Sequence, residues 1–137
     1  MRLWHYMLLP YLPKGQLLSQ KRECDLIWKD LAKDKKTNHI LINYIWEYED
    51  YEFELFQYYM KLEKEFIQRG FKFKRSEHMK NCTWVLIHHR TFEKHHTERY
   101  LWQCFYNLQE KYDRGQKDFT QRNYEKLNEF MEERKWK

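Results

Sequence analysis

Two groups near the start of this chain have the types and spacing to do covalent chemistry: the α-amine of residue 1 and the adjacent pair Arg22-Glu23. An α-amine has an unperturbed pKa of about 7.7–8.0 against about 10.4 for lysine, so roughly a tenth of it is unprotonated near neutral pH. It is a ready nucleophile toward an aldehyde or a sugar C1′, and it forms a Schiff base without special burial. Such a step needs a carboxylate to stabilise developing positive charge and move protons, and a guanidinium to hold a phosphate. Glu23 and Arg22 are the candidates for these roles. Their plain alternative is a helix-surface carboxylate beside a solvated cation.

The other constellations are less specific. His78, His88, His89, His95 and His96 lie near Cys82 and Cys104 in sequence. Zinc asks for paired ligands at spacings such as HxxxH or CxxC, and here only His78 and Cys82 come close, without a second pair. No metal is expected from them. Glu47, Glu49, Asp50, Glu52 and Glu54 form an acidic run free of Lys and Arg that a metal-dependent nuclease could use. Residues 69–94 hold Arg69, Lys72, Lys74, Arg75, Lys80, Arg90 and Lys94 against only Glu77 and Glu93. A segregated basic stretch of this kind can engage phosphate, although most charge runs are simply solvated faces. Neither a Gly-rich phosphate loop nor a GxSxG elbow occurs.

The elements that must position these groups follow from periodicity and breakers. A chain of 137 residues is the size of one domain, and 1–137 reads as a single unit. Three glycines and two prolines leave few breakers, which favours long helices. Residues 1–13 read as extended, because Pro10 and Pro13 disfavour helix in the residue before each. The stripe Leu17, Cys24, Ile27, Trp28, Leu31 predicts a first helix over about 16–34, with Glu23 at the stripe's border and Arg22 about 100° away toward solvent. Tyr48, Tyr51, Leu55, Tyr59, Leu62 and Phe66 predict a second over about 46–69, ended by Gly70. A third is expected over about 92–113, stopped by Gly115, and a fourth from Asp118, which with Gln121 resembles a capping box. Residues 39–45 and 83–87 could each be a short strand or a turn. The expected fold is mainly α, a compact helical domain with an extended N-terminal segment packed near the first helix. Three widely spaced cysteines suit a reducing compartment, and neither a signal peptide nor a membrane-length apolar stretch is visible, so a cytoplasmic protein is expected.

One set of residues resembles a known family. Gln16-Leu17-Leu18 followed by Arg22-Glu23, at this distance from the start of a chain of this length, looks like the pyrimidine-dimer DNA glycosylase family, the phage endonuclease V type. Glu65-Phe66-Ile67-Gln68-Arg69-Gly70-Phe71 is similar to the end of that family's long central helix, and His95-His96 leading into the third helix is a weaker match. The opening Met1-Arg2-Leu3-Trp4-His5-Tyr6 with Leu12-Pro13 resembles a bacterial and phage branch of the family. The resemblance implies a helical domain that binds double-stranded DNA and flips a nucleotide out of the stack. It also implies attack on C1′ by the N-terminal α-amine, then β-elimination that nicks the strand.

By that carry-over Glu23 is the catalytic carboxylate, and Arg22 helps bind and distort the DNA backbone. Bulky Arg2 disfavours removal of the initiator methionine, so Met1 would supply the amine, one residue further from Glu23, about 3.3 Å if extended. Arg2 and His5 are expected at phosphate and sugar, with Lys21, Lys72, Lys74, Arg75 and Arg90 as flanking DNA contacts. No cofactor is expected, and the protein is expected to act as a monomer away from membranes. The family's histidine just before the leucines falls here at Gln16, and its arginine one turn beyond the glutamate falls at Leu26. Those departures keep a second expectation open, a non-catalytic DNA-binding protein with the same fold. A metal-dependent nuclease using the 47–54 carboxylates is a third.

Overall fold

Long helices are what a chain poor in glycine and proline forms, and the computed structural model, which describes residues 2–33, 41–79 and 90–135, is mainly α. Within those residues four α-helices carry it: α1 (Lys14–Ala32), α2 (Tyr51–Gln68), α3 (Glu98–Asp113) and α4 (Gln121–Arg134). Among the described residues there is no strand. No helix among them is long and apolar enough to cross a membrane.

The middle of α2 is buried on every side, from Leu55 through Met60, so it is the element that the others surround. Such all-round burial marks a core helix rather than an amphipathic surface one. It ends where sequence periodicity places the end, at Gly70 with φ +77°, a left-handed conformation that glycine adopts without strain. Its start is later than expected. Asn43–Glu47 form a separate 3-10 turn, and Tyr48 is extended because its hydroxyl is held at the 94–95 backbone and the His95 ring. Residues 41–47 are thus turn rather than strand, while 39, 40 and the run 83–87 lie outside the described residues.

The N-terminal segment departs from its extended reading after residue 5. Tyr6–Tyr11 wind into a 3-10 turn that contains Pro10 and buries Leu8 and Leu9. The His5 ring caps the turn, its Nδ1 accepting from Met7 N–H at 3.1 Å. Leu3, Leu8, Leu9 and Leu12 are all buried to within 1%, which makes this segment part of the core and not a surface strap. The turn packs against α2, α3 and α4 together. Arg69 Nη2 ties it down from α2 by donating to the Pro10 carbonyl at 3.1 Å.

Two further boundaries differ from the periodic reading. Helix α3 begins at Glu98 with Thr97 as its N-cap, because Phe92 takes a left-handed φ of +53° and turns the chain. Glu54 holds that turn, accepting from Phe92 N–H at 2.9 Å and from the Thr91 hydroxyl at 3.2 Å. Helix α4 begins at Gln121, capped by Thr120, whose side chain accepts from Asn123 N–H at 3.1 Å. Asp118 does not cap α4. It accepts instead from Gly15 N–H, 103 residues away, and so caps α1, whose own N-cap is Pro13 and has no side-chain acceptor. Helices α3 and α4 run antiparallel, joined at one end by stacked Tyr112 and Tyr124 (3.9 Å between ring centres) and at the other by the Arg134–Glu98 ion pair.

Candidate active site

Gln20 is the residue from which the site is built. It lies on the α1 line that runs through Gln16, Glu23 and Ile27, and it is fully buried. Its Oε1 accepts from Trp4 N–H at 2.7 Å, and its Nε2 donates to the Arg2 carbonyl at 3.0 Å. The same Nε2 donates to Glu23 Oε2 at 2.8 Å. A primary amide has two donors and two acceptor sites, and here one amide holds both the N-terminal backbone and the Glu23 carboxylate. The Tyr58 hydroxyl sits beside them, 2.6 Å from the Trp4 carbonyl and 2.8 Å from Gln20 Oε1. From α3, the Tyr100 hydroxyl donates to the Leu3 carbonyl. Residues 2–4 are therefore fixed from α1, α2 and α3 at once.

A cleft of about 430 Å³ opens beside them. Arg2, Trp4, Gln16, Ser19 and Glu23 line it together with Leu41 and, from α3, Asn107 and Lys111. Arg2 and Glu23 are both half-buried, so each can meet a ligand in the cleft while still partly desolvated. Gln16 exchanges two hydrogen bonds with Gln116, at 2.9 and 2.6 Å, which fixes this amide at the cleft wall.

The remaining site residues expected from sequence scatter around this cleft. Met1 lies outside the described residues. Arg22 is exposed, donates to Ser19 Oγ at 3.0 Å, and lines a different groove with Leu26 and Lys29. His5 is buried, its Nδ1 accepting from Met7 N–H and its Nε2 donating to the His96 carbonyl at 2.9 Å. Burial pushes its pKa down to about 4, and burial, followed by the nearby His5, also pushes His96 well below the usual histidine range. His96 Nδ1 accepts from Tyr6 N–H, and its Nε2 meets the Tyr44 hydroxyl at 2.7 Å, so the two rings serve as neutral internal spacers.

The basic residues divide into strap and pairs. Phe71 and Phe73 turn inward against Phe66, at 6.1 and 5.0 Å, while Lys72 and Lys74 between and after them are exposed. Lys21 lies over the Phe73 ring at 5.2 Å and donates to the Lys74 carbonyl, which lays this extended strap along α1. Lys21 also pairs with Asp25 at 2.7 Å. Arg75 is bidentate to Glu63, 2.8 Å on each arm, and Arg90 pairs with Glu93 at 3.2 Å.

Two residues of the acidic run have structural partners. Glu54 holds the Phe92 turn, and Glu47 meets His95 Nε2 at 2.7 Å. Among the described residues no group of three or more His, Cys, Asp or Glu is placed to hold a metal ion. His88, His89 and Cys82 lie outside those residues.

Sequence reasoning missed Gln20, Asn107 and Lys111. Gln20 carried a usable signal, a polar side chain one turn before Glu23 on the inward face of an amphipathic helix. Asn107 and Lys111 carried none, because only folding brings the end of α3 to α1. No curated protein matches this chain, and no solved structure does. Residues 1–79, more than half of the 137, match the model of the pyrimidine dimer DNA glycosylase family, and the protein belongs to that family.

Proposed function

We propose that the protein is a DNA glycosylase with AP-lyase activity on damaged or modified bases of duplex DNA, working through a Schiff base from the α-amine of residue 1. The observation that carries this reading is the single Gln20 amide that binds both the Arg2 backbone and the Glu23 carboxylate on one cleft wall. Consecutive Cα atoms are about 3.8 Å apart, so an amine one residue before Arg2 cannot stray far from that wall. The amine attacks C1′, the bond to the base breaks, and Glu23 stabilises the positive charge on the sugar and then moves protons for β-elimination. Arg2, with Lys111 in the same cleft lining, favours the phosphate beside the reacting sugar. His5 acts by holding the segment rather than by touching DNA. Arg22, Lys21, Lys72, Lys74, Arg75 and Arg90 supply the flanking phosphate contacts.

Borohydride trapping on duplex DNA with an abasic site tests the reading. A covalent adduct is expected, mapping to the peptide that contains residue 1, and formed equally well in EDTA. Glu23→Gln should lower nicking by about 10²–10⁴-fold while duplex binding persists. Lys61 is the informative competitor, since burial and the neighbouring Lys64 lower its pKa to about 8. An adduct on Lys61, or nicking that Glu23→Gln leaves unchanged, would overturn the assignment. Duplex binding without any nicking would favour the non-catalytic reading that Gln16 and Leu26 keep open.

A further inference from the structure

A second cleft, of about 500 Å³, lies between the 3-10 turn of residues 6–11, the C-terminal half of α2, Arg90 and α4, and it shares no lining residue with the Glu23 cleft. Its volume is within the range of small-molecule sites. One part of its wall is aromatic: Tyr6, and Tyr11 stacked on Phe130 with ring centres 4.7 Å apart. Another is cationic, with Lys61, Lys64 and Arg90. Lys61 lies 5.8 Å from the centre of the Tyr6 ring, so the two parts adjoin. The one carboxylate on the wall, Glu65, is already neutralised by Arg69 at 2.7 Å. The Arg90–Glu93 pair is more than two-thirds exposed on both sides and holds Arg90 only weakly.

We infer that this cleft binds a nucleoside monophosphate unit, its base against the Tyr6 and Tyr11–Phe130 wall and its phosphate among Lys61, Lys64 and Arg90. An aromatic wall accepts any base through its π-face, and a cluster of three cations beside it selects an anion at one end of that base. Lys61 and Lys64 repel one another, and a dianion between them relieves that repulsion. Neither a neutral nucleoside nor bare phosphate satisfies both halves of the cleft.

Calorimetric titration of the intact protein with adenosine 5′-monophosphate, adenosine and inorganic phosphate tests the inference. The monophosphate is expected to bind about tenfold or more tightly than either fragment. Lys64→Glu, at an exposed position, and Lys61→Met, which keeps the apolar stem, should each weaken it by about tenfold. Circular dichroism of both variants checks that the fold persists. Competition by a 5′-phosphorylated single-stranded oligonucleotide would identify the natural unit as a strand end, and its failure to compete would identify a free mononucleotide. Monophosphate binding no tighter than phosphate alone, or unchanged in both folded variants, would overturn the inference. No step of the measurement involves nicking, so its outcome is separate from that of the α-amine mechanism.

Discussion

Gln20 shows how much one buried amide can decide. Its partners are the Trp4 N–H, the Arg2 carbonyl, the Tyr58 hydroxyl and Glu23 Oε2, drawn from three parts of the chain. A buried polar group left without its partner costs about 1–3 kcal/mol. Gln20→Leu, close in volume, strands at least the Trp4 N–H and the Arg2 carbonyl, and should lower unfolding free energy by about 2–5 kcal/mol in urea titrations. It should also remove one of the contacts that hold Glu23, so any nicking activity is expected to fall together with stability. The neighbouring Arg22 illustrates the opposite outcome. It immediately precedes Glu23 in the chain, but successive helical residues point about 100° apart, and its guanidinium lines a separate groove.

At the scale of elements, the helix carrying Glu23 is stabilised at its start by a residue from the other end of the chain. The Gln116 amide, with Gly15 N–H and Lys14 also contributing, holds the Asp118 carboxyl below the usual aspartate range, so it is an anion at the positive end of α1. Asp118→Ala should cost about 1 kcal/mol, the usual size of a lost N-cap, read as a shift in the urea midpoint. A Cβ added to Gly15 would stand 2.5 Å from Asp118 Oδ2, so Gly15→Ala should be destabilising by a similar route even though alanine favours helix. The strap of residues 71–74 is the element suited to phosphate, with Lys72 and Lys74 outward. If it lies on DNA, the double change Lys72→Gln, Lys74→Gln should reduce the slope of log K against log salt by about 2, measured on a duplex between 50 and 200 mM salt.

The whole molecule carries a pH dependence through the His5–His96 core. His5 has a folded pKa of about 4 against an ordinary 6.5, with burial as the main cause. Between those values the unfolded chain binds more protons than the folded one, so stability rises with pH across that window. The His5 contribution is complete above about pH 6.5, is lost as pH falls through 6.5 toward 4, and changes no further below that. Its size is about 3 kcal/mol, and His96 shifts the same way and adds to it. Urea denaturation at pH 7 and pH 4.5 should show this loss, with a smaller difference in His5→Asn. Since the two rings brace residues 5–7, acid should loosen the N-terminal segment and the Glu23 cleft together.

Local periodicity was enough to place α1, the body of α2 and the glycine that ends α2, though not the start of α2, because helical spacing and positive φ are properties of a few neighbouring residues. A short motif, Gln16-Leu17-Leu18 with Arg22-Glu23, was enough to point to the family that residues 1–79 match. The assembly of the cleft lay beyond that reach. That Gln20 turns inward to meet residues 2–4, that Asp118 caps α1 rather than α4, and that Lys111 lines the same cleft as Glu23 all depend on distant segments coming together. So is the conversion of residues 6–11 from an expected extended lead-in to a buried 3-10 turn, where burial of Leu8 and Leu9 outweighs the local preference set by Pro10. Backbone propensity is decided by near neighbours, and the partners of a buried polar group are decided only when the helices close around it.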